Sequence, residues 1–149
     1  MDDAQTGAET PSFSDEELAF IESIFEMARS GQTEELARVL DAGVPANLTN
    51  AKGDSLLILA AYHQHDEAVE ALLARGADVD RVNDMGQTAM ACAVFRNNAP
   101  IVRRLLASGA DPDLGSHTAL EIARQFGIVE MQSLLESEAS AGGPGRQTP

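Results

Sequence analysis

The chain has 149 residues, enough for one domain with one core, and its 44% hydrophobic residues include only 4% aromatic and no Trp, so the interior must be built from Ala, Leu, Val and Ile. A formal net charge of −14 and a pI near 4.3 set the molecule against nucleic acid and anionic membrane surfaces, which it would repel over its length, and favour a basic or apolar protein surface as partner. The single cysteine excludes an internal disulfide, the acidic N-terminus has no secretory or transit character, and no run approaches the ~18 apolar residues of a membrane span, so a cytoplasmic protein is expected.

Residues 1–13 are small, polar and acidic and are expected to form a disordered arm. Ser14 with Glu17 is a capping box, and Phe13 is placed to staple against Leu18. Leu18, Ile21, Ile24, Phe25 and Ala28 then keep helical spacing up to Gly31. A second helix follows from Thr33, with Leu36, Val39 and Leu40 apolar and Gly43 as its stop. In residues 51–83, Gly53 supplies a turn, Ser55 caps a helix whose packed face is Leu56, Leu57, Leu59, Ala60 and Ala61, and Asp66 is expected to cap a second helix carrying Val69, Leu72 and Leu73. Residues 84–114 repeat this with Gly86, Thr88, Met90, Cys92 and Ala93, then Ile101, Val102, Leu105 and Leu106. Thr118, Leu120, Ile122, Ala123 and Gly127, then Met131, Leu134 and Leu135, form a shorter last unit over 115–137, and residues 138–149 read as a flexible tail.

These units are in register. Gly43, Gly76 and Gly109 are 33 residues apart, as are Leu40, Leu73 and Leu106, and as are Ser55 and Thr88. From Gly109 to Thr118 is nine residues, against twelve from Gly76 to Thr88, so the last connecting loop is shortened. Ala60, Ala93 and Ala123 share one offset from the capping Ser or Thr, where paired helices must approach closely. A 33-residue period of a turn and two short helices, with Leu72-Leu73-Ala74-Arg75-Gly76-Ala77-Asp78-Val79-Asp80 echoed from Leu105 to Pro112, resembles the ankyrin repeat family over about residues 20–136. The resemblance implies an all-α solenoid of helix–turn–helix layers with β-hairpin-like fingers. It has about four repeats including caps: an N-terminal capping repeat at 14–50, full repeats at 51–83 and 84–114, and a C-terminal capping repeat at 115–137. Leu73 and Leu106 are expected to be buried between layers. The family's Thr-Pro-Leu-His signature is degraded to Ser55-Leu56-Leu57-Ile58, Thr88-Ala89-Met90-Ala91 and Thr118-Ala119-Leu120-Glu121, and the missing His removes a tie between successive loops. The glycine between paired helices is Gln64 and Asn97 in the two central units.

In function the resemblance implies binding of another protein through finger tips and the inner helix face, without catalysis, by a chain that is a monomer when free. The matching finger positions are Ala51, Lys52 and Asp54, then Asp84, Met85 and Gln87, with His117 in the last. The groove positions are Tyr62 and His63, Phe95 and Arg96, and Gln125 and Phe126. An apolar stripe of Tyr62, Phe95, Phe126 and Met85, flanked by Arg96 and Lys52 and joined by Asp54, His63 and Gln87, is the candidate contact surface. The competing account packs the same rings locally under the next repeat. His63 and His65 diverge on a helix and imply no metal site; Asp78, Asp80, Asp111 and Asp113 lack the spacing of a calcium loop and suit backbone-bonding turns. Cys92 shares the offset of Leu59 and Ile122 and should be buried and inert. No nucleophile has a partner, and no cofactor is implied. A structural subunit held against a neighbouring enzyme is the alternative, and a small hydrolase or metal protein a more distant one.

Overall fold

Side-chain caps start most of the helices. In the computed structural model, which describes residues 13–116 and 118–140, α1 (Asp15–Ser30) opens on the Ser14–Glu17 capping box, Glu17 N–H donating to Ser14 Oγ at 3.1 Å and Ser14 N–H to Glu17 Oε1 at 2.9 Å. Most of the expected arm (residues 1–12), the end of the expected tail (141–149) and His117 lie outside the described residues. After α2 (Thr33–Asp41), Ser55 caps α3 (Leu56–Tyr62) by accepting the Ile58 N–H at 3.0 Å, and α4 (Asp66–Ala74) follows. Thr88 does the same for α5 (Ala89–Phe95), and Asn98 for α6 (Ala99–Ala107). A second capping box, Thr118 with Glu121, starts α7 (Ala119–Gln125), and α8 (Val129–Ser140) runs three residues past Ser137. Among the described residues there are these eight helices and no strand; the fingers contain one isolated bridge, Thr49 to Ser55.

Short connections fold the helices into pairs, and the pairs stack. The inner helices α1, α3, α5 and α7 pack in series, with α2, α4 and α6 in a second row behind them. Ala28, Ala60, Ala61, Ala93 and Ala123 are fully buried, which lets backbones approach, and Leu56, Leu57, Leu72, Met90, Ile101 and Leu105 fill the space between layers. Left-handed backbone closes each pair: Gln64 (φ 65°) and Asn97 (φ 57°) adopt the conformation that Gly31 and Gly127 take at no steric cost.

Three local expectations need correction. Leu73 and Leu106 are only partly buried at the edge of the core, while their neighbours Leu72 and Leu105 are completely enclosed. Leu18 is 48% exposed because α1, at 16 residues, outruns the 7-residue α3 beside it, and Phe13 is equally open, so a staple between them shields little. Asp66 is the first residue of α4 rather than its cap; its carboxylate accepts from Arg104 Nε of α6 at 2.7 Å, and the cap position falls to His65, which makes no capping bond. The His65 ring turns to the preceding layer, donating from Nε2 to the Arg29 carbonyl at 2.7 Å.

The fingers are held by Asn and Asp in place of the absent family His. Asn83 Oδ1 accepts the N–H groups of Met85 (3.0 Å) and Gln87 (2.8 Å), and its Nδ2 donates to Asp54 Oδ1 of the preceding finger at 2.7 Å. Asp84 N–H reaches the Lys52 carbonyl (3.0 Å), and Ser116 N–H the Gly86 carbonyl (2.9 Å). Gly86, at φ 77°, has no room for a side chain, since a Cβ would run into Ser116. At the finger bases Asn47 Oδ1 accepts from Asp78 N–H (2.7 Å) and Asp80 Oδ1 from Asp111 N–H (2.9 Å), while within each Asp-x-Asp pair the first carboxylate accepts the N–H of the second, Asp78 from Asp80 (3.0 Å) and Asp111 from Asp113 (2.9 Å). On the outer row Arg75 bridges to Asp41 (2.9 Å) and holds its carboxyl below the usual range, an exposed contact that adds little stability.

Candidate functional site

Two sets of predicted positions come together, and they share Tyr62 and His63. The first is a hollow of about 610 Å³ between the fingers and the inner helices, whose lining includes Lys52, Asp54, Tyr62, His63, Met85 and Gln87. Its floor is the buried surface of Ile58, Leu59 and Cys92, and Met85, 71% exposed, stands at its edge. Glu22 and Arg29 of α1, and Asn50 and Asn83 of the fingers, also line it. Sequence reading passed over these four, yet Asn50 and Asn83 are one period apart, and Arg29 precedes Gly31 by the same two residues that separate Tyr62 from Gln64.

The second set is a diagonal row along the ends of the inner helices. In two successive layers the side chain two residues before a left-handed connection meets the side chain one residue before it in the next layer. Tyr62 lies under Arg96, whose Cζ is 4.9 Å from the ring centroid. Phe95 meets Phe126 edge to face at 5.5 Å and 80°, while His63 stands edge-on to Tyr62 at 5.1 Å within its own layer. Arg96 is therefore inside the stripe rather than beside it. The rings do pack on one another, yet Tyr62, Phe95 and Phe126 keep 37%, 48% and 57% exposure, so local packing leaves much of their surface open.

Charge on this face departs from that of the whole chain. Burial, and then the positive charges of His65, Arg96 and Arg29, push the His63 pKa below 6.5, with Glu26 opposing. Asp54 is occupied by Asn83, and Glu22 faces Arg29 at 3.9 Å. Burial raises the Cys92 thiol to about 12, so it stays protonated and unreactive at neutral pH. Among the described residues no group of three or more His, Cys, Asp or Glu is placed to hold a metal, and no helix is long and apolar enough to cross a membrane.

Comparison with known proteins agrees with this architecture. A model of ankyrin repeats, in three copies, matches residues 24–116. The chain belongs to the ankyrin repeat family. A Pseudomonas aeruginosa protein named as an ankyrin repeat protein is 42% identical over 64 residues, which is 43% of this chain and 37% of that protein, so the match spans well under half of the relative. Ankyrin repeats generally mediate protein–protein interaction, and the family is typically non-enzymatic.

Proposed function

We propose that this ankyrin protein is a non-catalytic interaction module that docks a partner protein across the concave inner-helix face and the finger tips. The observation that carries this reading is the row of Tyr62, Phe95 and Phe126, held in a diagonal by the Arg96–Tyr62 and Phe95–Phe126 contacts yet 37–57% exposed, next to a hollow with an apolar floor. The mechanism is burial of these rings and of Met85, with Lys52, Asp54, His63, Gln87 and Arg96 fixing orientation. The net charge of −14 steers a partner of basic overall character, so association slows as salt rises. In the same reading the pairs within 14–50 and 115–137 cap the stack, and the protein is a cytoplasmic monomer until it meets its partner.

Affinity purification from native lysate tests this, comparing the wild type with a triple variant carrying alanine at positions 62, 95 and 126. Partner retention should disappear in the triple variant while the helical circular-dichroism spectrum stays unchanged. Loss of the helical signal would show instead that the rings serve the stack, and retention of the same partner would place the contact elsewhere.

A further inference from the structure

We propose that the segment docked on this face sets an Asp or Glu carboxylate on the Arg96 guanidinium and a nearby apolar side chain against the Phe95–Phe126 pair. The proposal names the partner chemistry of the docking reading above and rests on it.

The argument is one of charge complementarity. Arg29, Arg38, Arg75, Arg81, Arg104 and Arg124 each lie within 4.0 Å of a carboxylate. In a chain of net charge −14 acid partners are abundant, yet Arg96 has no such ion pair among the described residues. Its Cζ instead lies over the Tyr62 ring at 4.9 Å from the centroid, and its N–H donors make no side-chain hydrogen bond among the described residues. A planar guanidinium so held is matched to a carboxylate, which accepts two of its N–H bonds in parallel. Burial first, and then the charges of His65, Arg96 and Arg29, lower the His63 proton affinity, so Arg29 and Arg96 both act on this end of the groove of an acidic molecule.

Phe95 directly precedes Arg96, and its pairing with Phe126 forms a half-exposed apolar step beside the charge. The occupant therefore needs both features close together: an acid for the guanidinium and a side chain such as Leu, Ile or Phe for the rings. Asp or Glu fits better than a phosphate, whose nearly two negative charges would meet stronger repulsion from the acidic surface. Lys52, also without an ion pair among the described residues, stands at the finger rim of the hollow, where Asp54 is two residues on in sequence and Asp84 donates its N–H to the Lys52 carbonyl, so it is the weaker anion site.

Panning a phage-displayed random peptide library against the full chain, followed by Kd measurement on the enriched peptides, tests the inference. The expected peptides carry Asp or Glu within a few residues of a large apolar residue. Their affinity should fall about tenfold or more in Arg96→Gln, the loss of a charge-assisted hydrogen bond, and stay unchanged in Arg103→Gln, which alters another arginine with no ion pair among the described residues. Tyr62→Phe should preserve binding, because the stacking ring remains, and Tyr62→Leu should weaken it several-fold. Peptides lost in the Phe95→Ala/Phe126→Ala variant but lacking an acid, or indifferent to Arg96→Gln, would overturn the carboxylate anchor while leaving the docking face intact. Peptides indifferent to both changes, or no enrichment over the double-alanine variant, would overturn the anchor and the docking face together.

Discussion

Leu72 and Leu73 are adjacent in sequence and chemically identical, so they isolate the contribution of position in the stack. Leu72 is 0% exposed on a stripe with Ala68, Val69 and Ala71, in a helix packed against α2, α3 and α6. Truncation to alanine removes three carbons, about 2–3 kcal/mol of transfer free energy, and the cavity left in a rigid interior raises the cost of Leu72→Ala to about 3–5 kcal/mol. Leu73 is partly exposed, so the same truncation there should cost about 1–2 kcal/mol, since solvent and neighbours take up the lost volume. In a stack where each layer is stabilised by its neighbours, the larger loss consumes much of the total. Urea unfolding followed by helical ellipticity should move the Leu72→Ala midpoint well below that of Leu73→Ala at an unchanged slope. Equal midpoints, or a larger loss for Leu73→Ala, would show that the interlayer face of α4 has been assigned to the wrong leucine.

Asn83→Ala should cost about 1–3 kcal/mol, because it leaves the Met85 and Gln87 N–H groups and the Asp54 carboxylate without their partner; amide exchange at Gln87 should speed up in native protein, and unchanged protection there would contradict the tie. Gln64→Gly should stabilise the chain by roughly 0.5–1 kcal/mol by relieving a left-handed backbone, against the loss of a long 3.3 Å bond from Asn98; a lower thermal midpoint would refute it. By NMR titration His63 should have a midpoint below 6.5, and Arg96→Gln should move it upward, since one of the charges that disfavour the imidazolium is gone. Folded His63 takes up its proton less readily than the unfolded chain, so stability holds above pH 6.5 and falls as pH drops through the His63 midpoint.

Much of the fold was legible because its rules are local and recur. Ser14, Ser55, Thr88 and Thr118 act as caps through bonds spanning three residues, and the period of 33 repeats the same helix pair without reference to the rest of the chain. The groove positions were legible for the same reason: Tyr62, Phe95 and Phe126 precede the left-handed connections by one or two residues, and such positions emerge on the open side of a helix pair. Asp66 misled because a carboxylate at a helix start is equally suited to capping and to an arginine, and Arg104 is 38 residues away in the next layer.

The sequence alone determined what each repeat is: its helices, the Ser and Thr caps of its inner helices, its turns and the residues free to face outward. Only the tertiary structure decided what each repeat touches. The sideways offset between layers placed Arg96 over Tyr62 and Phe126 against Phe95, enclosed Leu72 in preference to Leu73, and joined Asn83 to Asp54 across two fingers. That offset is a property of packing between surfaces, set by the volumes of Ala60, Ala93 and their neighbours acting together, and no single repeat encodes it.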